Sequence, residues 1–263
     1  MPVIPVKSYL YPGDEAAVQA VNSISGLDKL LAFISKNSVE RFYDVIFTSS
    51  YLKLTERTAP EIHQMYLRAC RRFGVETPPD VFLHRSYDCD TFLFGMEKPK
   101  ILLSSSLLEM LSPQELEVFL ASDVAAIKAG HGMIGLLMMV VNTFGGVLPV
   151  PKSVFTYPLT QWKRQSYYTY DRARLLYCED YDLTARLIGY GEAPEDVMNR
   201  TSLEDRMRQN EEFLQISGGA GAAKTLQTLA IQRPWNASRM VELYNWVESG
   251  AYQRTKEATN GSL

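Results

Sequence analysis

The stretch from Ser112 to His131, SPQELEVFLASDVAAIKAGH, constrains this chain more than any other segment. Ser112 and Glu115 have the spacing of a capping box, and Pro113 suits the first helical turn, so a helix should begin here. Leu116, Phe119, Leu120 and Ile127 follow at helical spacing and predict an inward-facing stripe. Three short segments rich in Val, Ile, Leu and Phe stand just before it. These are Pro79 to Leu83, Thr91 to Gly95 and Lys100 to Ser104, separated by polar or proline turns. Strand, strand, strand and then a long capped helix predicts one small sheet laid against a central helix.

The remainder reads as helical. Asp14 to Asn22 is a short helix, and Leu27 to Phe47 reads as one, with Leu30, Leu31, Phe33 and Ile34 at helical spacing. Thr58, Pro60 and Glu61 suggest another capping box, opening a helix that should stop near Gly74. After the Pro149–Pro151 break, Arg172 to Ile188 is amphipathic, Pro194 to Leu214 strongly charged and Gly218 to Ile231 rich in Ala, Gly and Leu. Pro234 to Val247 carries Met240, Leu243, Trp246 and Val247 at helical spacing. We expect one α+β, mainly helical domain over residues 1–252, and a polar, frayed tail over 253–263.

At 263 residues and 46% hydrophobic, the chain can bury a large core. Its net charge of −3 provides no basic field for nucleic acid. Cys70, Cys89 and Cys178 are an odd number without Cys-x-x-Cys spacing, which fits a reducing cytoplasm better than a disulfide framework. The N-terminus has no apolar run of the signal-peptide kind. The segment 132–150, GMIGLLMMVVNTFGGVLPV, is the one candidate for membrane contact. Its apolar run, Met133 to Val141, is about half the ~20 residues a span needs. A buried helix entering a Gly/Pro turn is the expectation, and a membrane-dipping hairpin the alternative.

Titratable residues supply few local motifs. His63, His84 and His131 are the chain's three histidines, and no two stand three or four residues apart. Asp88, Cys89 and Asp90 are consecutive, and on a strand their side chains alternate between faces and cannot converge. No histidine lies near Cys178 in sequence to activate it.

Four pieces in order resemble the HtpX-like zinc metallopeptidases, the gluzincin family that includes the CAAX prenyl peptidases, from about Gly26 to Tyr252. The first runs from Pro78-Pro79 and VFLHRS through Asp90 to Gly95, then Lys98-Pro99 and ILLSSSLLEML. The second is Ser112 to His131. WKRQSYYTYDRARLLYCED resembles the family segment that carries the third zinc ligand, and RPWNASRMVELYNWVESGAYQR resembles its C-terminal helix. The resemblance implies a zincin-like fold with the sheet packed on the active-site helix.

The departures fall on the chemistry. The family's H-E-x-x-H core maps to Ser122 through Ala126, with the two zinc histidines at Ser122 and Ala126 and the general-base glutamate at Asp123. The third ligand, a glutamate, maps to Tyr167. Asp171, which in the family braces a zinc histidine, is retained, while the preceding alanine has become Tyr170 and an Asn-Ala pair has become Asp90-Thr91. A zinc peptidase needs three protein ligands and an open position where bound water acquires a pKa near ~7. Serine and alanine cannot replace imidazole, so no zinc or other cofactor is expected, and Tyr167 and Tyr170 are expected to fill the vacated space.

These residues favour a catalytically inactive pseudopeptidase in the cytoplasm that binds a protein partner, such as a competent relative or a larger assembly. One alternative is an active metal-dependent endopeptidase with an atypical ligand set, Asp123, Asp171 and His131, whose oxygens suit Mg²⁺ or Ca²⁺ better than zinc. Another is a peripheral membrane protein using 132–150. Asp123 is expected to be solvated or paired with Lys128 or an arginine. Asp171 is expected to accept from a tyrosine, Ser122 or Arg174, and His131 to be structural.

Overall fold

The computed structural model describes residues 2–190, 200–216 and 233–260. After a single 3-10 turn at Val6–Ser8 come helices α1 (Pro12–Asn22), α2 (Leu27–Lys36) and α3 (Val39–Ser50). Strand β1 (Leu52–Leu54), helix α4 (Pro60–Phe73) and strands β2 (Asp80–His84), β3 (Thr91–Phe94) and β4 (Lys100–Ser104) follow. Helices α5 (Ser105–Met110), α6 (Pro113–Lys128), α7 (Gly132–Phe144), α8 (Ser153–Cys178) and α9 (Tyr181–Gly189) lie next. Among the described residues the chain ends with α10 (Leu203–Gln215), α11 (Asn236–Glu248) and α12 (Ala251–Asn260).

The three expected strands form one sheet, to which β1 adds a fourth. The order is β1-β2-β4-β3, with β2 and β4 parallel and the outer pairs antiparallel. Because side chains alternate across a strand, the sheet divides the core in two. Val81, Leu93, Ile101 and Leu103 point into a cluster with α4, α6, α9, α11 and the C-terminal part of α8. Phe82, Phe94 and Leu102 point the other way, against α1, α2, α3, α7 and the start of α8. Helix α6 is buried on every side from Val118 to Ala126, so it runs through the middle of the protein.

Its N-terminus is as expected: Ser112 Oγ accepts from the Glu115 amide while the Glu115 carboxylate accepts from the Ser112 amide. The parallel expectation at Thr58 fails. Thr58 Oγ1 donates to the Lys53 carbonyl and accepts from the Thr55 amide, so the hydroxyl is spent in the preceding turn and α4 begins uncapped after Ala59. Gly74 ends α4 in the left-handed conformation, as predicted.

Two expected helices are split, and the tail departs from its expectation. Leu27 to Phe47 is two helices, interrupted at Asn37 and at Ser38, whose φ is +50°. Arg172 to Ile188 spans the end of α8 and all of α9, separated by a left-handed Glu179. The tail is helical rather than frayed over 251–260. Thr259 is buried with its hydroxyl 3.5 Å from that of Ser8, and Lys256 pairs with Glu179. The Gly218–Ile231 segment lies outside the described residues.

Residues 132–144 form the expected buried helix, seated by two glycines that a side chain could not replace. A Cβ on Gly135 would lie 1.8 Å from the Leu93 carbonyl oxygen, and one on Gly132 would lie 2.3 Å from that of Gly95. No single helix among the described residues is long and apolar enough to cross a membrane. The pair α6 and α7 has the length and composition but is bent by 78°.

Candidate functional site

The site lies where α6, α8 and the start of β3 meet. Helix α8 carries most of it, because Trp162, Tyr167, Tyr170, Asp171 and Arg174 all fall on buried positions of one long helix. The helix is held to the N-terminal region by Asp14, a fully buried carboxylate on α1. Its oxygens accept from Trp162 Nε1 at 3.0 Å and from the Thr169 hydroxyl, and Oδ2 lies 2.8 Å from His131 Nε2. The His131 contact has ion-pair distance but not hydrogen-bond geometry. The His131 ring stacks on Tyr170, with centroids 5.7 Å apart, consistent with the structural role expected of it.

At the first degenerate position, the fully buried Ser122 donates its Oγ–H to the Phe119 carbonyl (2.6 Å) and accepts from Arg174 Nε (3.0 Å). The Arg174 guanidinium lies 4.5 Å from the centre of the Phe119 ring. A permanent cation is therefore fixed against one of the two positions where the resemblance places zinc histidines. Ala126, the other, is fully buried.

Asp171 accepts two hydrogen bonds from Arg239 on α11, Nε to Oδ2 at 2.9 Å and Nη2 to Oδ1 at 2.6 Å. Arg174 Nη1 approaches Oδ1 at 3.5 Å. Of the expected donors only Arg174 is present, and it is secondary to Arg239, which sequence reading missed. The signal was an arginine among the apolar positions of α11, which needs a partner once that face is buried.

Asp123 is neither solvated nor paired as expected. It is fully buried; Oδ1 accepts from the Thr91 hydroxyl at 2.9 Å and Oδ2 has no hydrogen-bond partner. Lys128 instead donates to the Gly74 carbonyl. Burial pushes the Asp123 carboxyl up to about 7, against the opposing pull of Thr91 and the Arg174 charge. Burial thus shifts this carboxyl towards its neutral form, where a salt bridge would have held it ionised.

Tyr167 does not bond Ser122. Its hydroxyl donates to Asp90 Oδ2 at 3.2 Å and its ring stacks on Tyr170, with centroids 5.8 Å apart. Lys163, Arg233 and Arg239 lie 5.0, 5.4 and 5.1 Å from the ring centre. Burial raises the Tyr170 hydroxyl well above the ordinary tyrosine range, with the Asp123 charge adding to it, so both rings are neutral at ordinary pH. Beside these tyrosines a cleft of about 770 Å³ remains, with Asp90, Thr91, Phe92, Met138, Lys163 and Arg233 among its lining.

The donor set does not fit a catalytic metal. Among the described residues, no three His, Cys, Asp or Glu side chains gather as a metal site would require. Of the atypical set, Asp171 is committed to Arg239, His131 approaches Asp14, and Asp123 is bonded to Thr91. His63 bonds Tyr66 and His84 packs beside Tyr51, so neither joins the site. Cys178 contacts Thr184 and has its thiol pushed up by burial, which disfavours the thiolate. Of the Asp88–Asp90 triplet, Asp90 faces Tyr167 while Asp88 accepts from the Ser86 hydroxyl.

No family model matches the chain, and no solved structure does. Among curated proteins, the chain is 21% identical over 265 residues to the plastoglobule-localized metallopeptidase 48, chloroplastic, of Arabidopsis thaliana. The alignment covers 96% of this chain and 76% of that protein, a distant link to the HtpX-like metallopeptidases that spans nearly all of the chain.

Proposed function

We propose that this protein is a catalytically inactive relative of the HtpX-like metallopeptidases, keeping a zincin-like framework for binding rather than hydrolysis. The observation that carries this reading is Arg174 hydrogen-bonded to Ser122. A guanidinium is always protonated, and next to the expected metal seat it would repel a dication. Asp171, the acid that would brace a zinc histidine, balances Arg239 instead. The general-base position holds an aspartate, one methylene shorter than glutamate, that is fully buried and hydrogen-bonded to Thr91. The distant metallopeptidase relative and the lack of a metal-ligating group among the described residues are consistent with this reading.

The partner in this reading is another protein, a competent relative or an assembly, bound through the outer faces or the cleft. Metal content tests the reading. The purified chain, equilibrated with Zn²⁺ and passed through a desalting column, is expected to retain far less than one equivalent and to leave an unfolded casein substrate intact. One equivalent of chelator-sensitive zinc that disappears in Asp123→Asn or Asp171→Asn, together with zinc-dependent proteolysis, would overturn it.

A further inference from the structure

The outer edge of β3 is the natural place for an extended peptide to add a strand, but two of its amides are already engaged and α7 crowds it. The Thr91 amide donates to the Asp90 carboxylate at 2.9 Å, and the Gly95 amide donates to the Gly132 carbonyl at 3.1 Å. Between them the Leu93 carbonyl faces Gly135 so closely that no Cβ fits. These contacts disfavour a full backbone ladder between β3 and a ligand of the neighbouring cleft.

The cleft has two chemically different parts. One wall is apolar: Phe92, Ile134, Met138 and Met139 line it, and all belong to or pack against the core cluster on the α7 side of the sheet. The other part holds two cations, Lys163 and Arg233, which lie 5.0 and 5.4 Å from the centre of the Tyr167 ring. Neither is neutralised by a carboxylate at ion-pair distance among the described residues, and Arg233 Nε is buried without a hydrogen-bond partner. The nearby acids are occupied: Asp90 accepts from Thr91 and Tyr167, and Asp88 from Ser86. At about 770 Å³ the space falls within the roughly 300–1,000 Å³ range of small-molecule pockets.

We propose that this cleft binds a single-chain anionic amphiphile, a long-chain carboxylate, with its head group at Lys163 and Arg233 and its chain along Phe92, Ile134 and Met138. Methionine suits such a wall because its unbranched, polarizable side chain adapts to a flexible chain. The proposal rests on the non-catalytic reading only in that no metal competes for the cleft.

Titration of the full-length protein with a dansyl-labelled undecanoic acid, displaced by oleate, tests it. Saturable one-to-one binding is expected, with oleyl alcohol a much poorer competitor than oleate. Lys163→Gln should weaken binding about tenfold, the worth of one charge-assisted hydrogen bond. Met138→Glu should abolish it, and near-ultraviolet circular dichroism should show both variants folded. Absence of saturable binding, equal competition by the alcohol, unchanged affinity in folded Lys163→Gln, or preferential binding of an uncharged extended peptide would each overturn the assignment. Zinc content is measured separately, so this proposal and the non-catalytic reading fail independently.

Discussion

Arg174 Nε donates to Ser122 Oγ at 3.0 Å, joining α8 to α6 inside the protein. The bond does not stand alone. Through Nη1 the same guanidinium reaches Asp171, which is held from the other side by Arg239. Two arginines and Asp171 therefore meet in the interior, and the buried Asp123 nearby adds a second negative charge when it is ionised.

Removing the shared acid should be severe. Asp171→Asn leaves Arg239, fully buried, without its counter-charge, and breaking one partner of a buried pair costs about 3–5 kcal/mol. Urea unfolding should show a loss of that size. A loss below about 1 kcal/mol, the value of an exposed pair, would mean that water reaches the cluster.

Ser122→Ala should be much milder. It removes one acceptor for Arg174 but leaves the guanidinium its contact with Asp171 and its place over the Phe119 ring. We expect a loss of about 1–3 kcal/mol, the cost of leaving one buried donor unsatisfied. Thermal unfolding monitored by circular dichroism reads this out, and Ser122→Ala should be the less damaging of these two variants.

At Tyr167 the ring should matter more than the hydroxyl. Tyr167→Phe loses one 3.2 Å hydrogen bond to Asp90, a change of about 0.5–1.5 kcal/mol. Tyr167→Ala removes the stack on Tyr170 and should cost about 3 kcal/mol, the low end for large aromatic truncations, because the ring borders an existing cleft. Equal losses in the two variants would place the energy in the hydrogen bond instead.

Much of this architecture was legible because its signals are local. The Ser112–Glu115 box and the three strand segments depend on neighbouring residues, and each is found where the pattern put it. The reading failed where a group or backbone conformation outside the motif decided the outcome. Thr58 matches the capping-box pattern, yet the Lys53 carbonyl takes its hydroxyl. The break at Ser38 and the turn at Glu179 are made by non-glycine residues at positive φ, which the pattern of apolar positions does not encode. In the site, Ser122, Asp123, Ala126 and Tyr167 were found by their place in a degenerate motif. Asp14, Lys163 and Arg239 were not, because their roles come from partners in other parts of the chain.

Asp123 makes stability depend on pH in a direction opposite to that of a salt-bridged aspartate. Its carboxyl is raised from 3.8 to about 7 by burial, so in the window between those values the folded chain binds a proton that the unfolded chain has released. Stability attributable to this group is therefore fully present below the unfolded value. It falls as pH rises from about 4 towards 7 and is flat above. Asn at this position is neutral throughout and nearly isosteric, and its side-chain carbonyl can still accept from Thr91. Asp123→Asn should then be more stable than the parent at pH 8 by a few kcal/mol, with the advantage shrinking as pH drops towards 4. The difference between the two unfolding free energies across pH 4–8 isolates this residue from every other titrating group. A pH-independent difference would mean that Asp123 is charged at neutral pH in the folded protein, and its unpaired oxygen would then need a cation within reach.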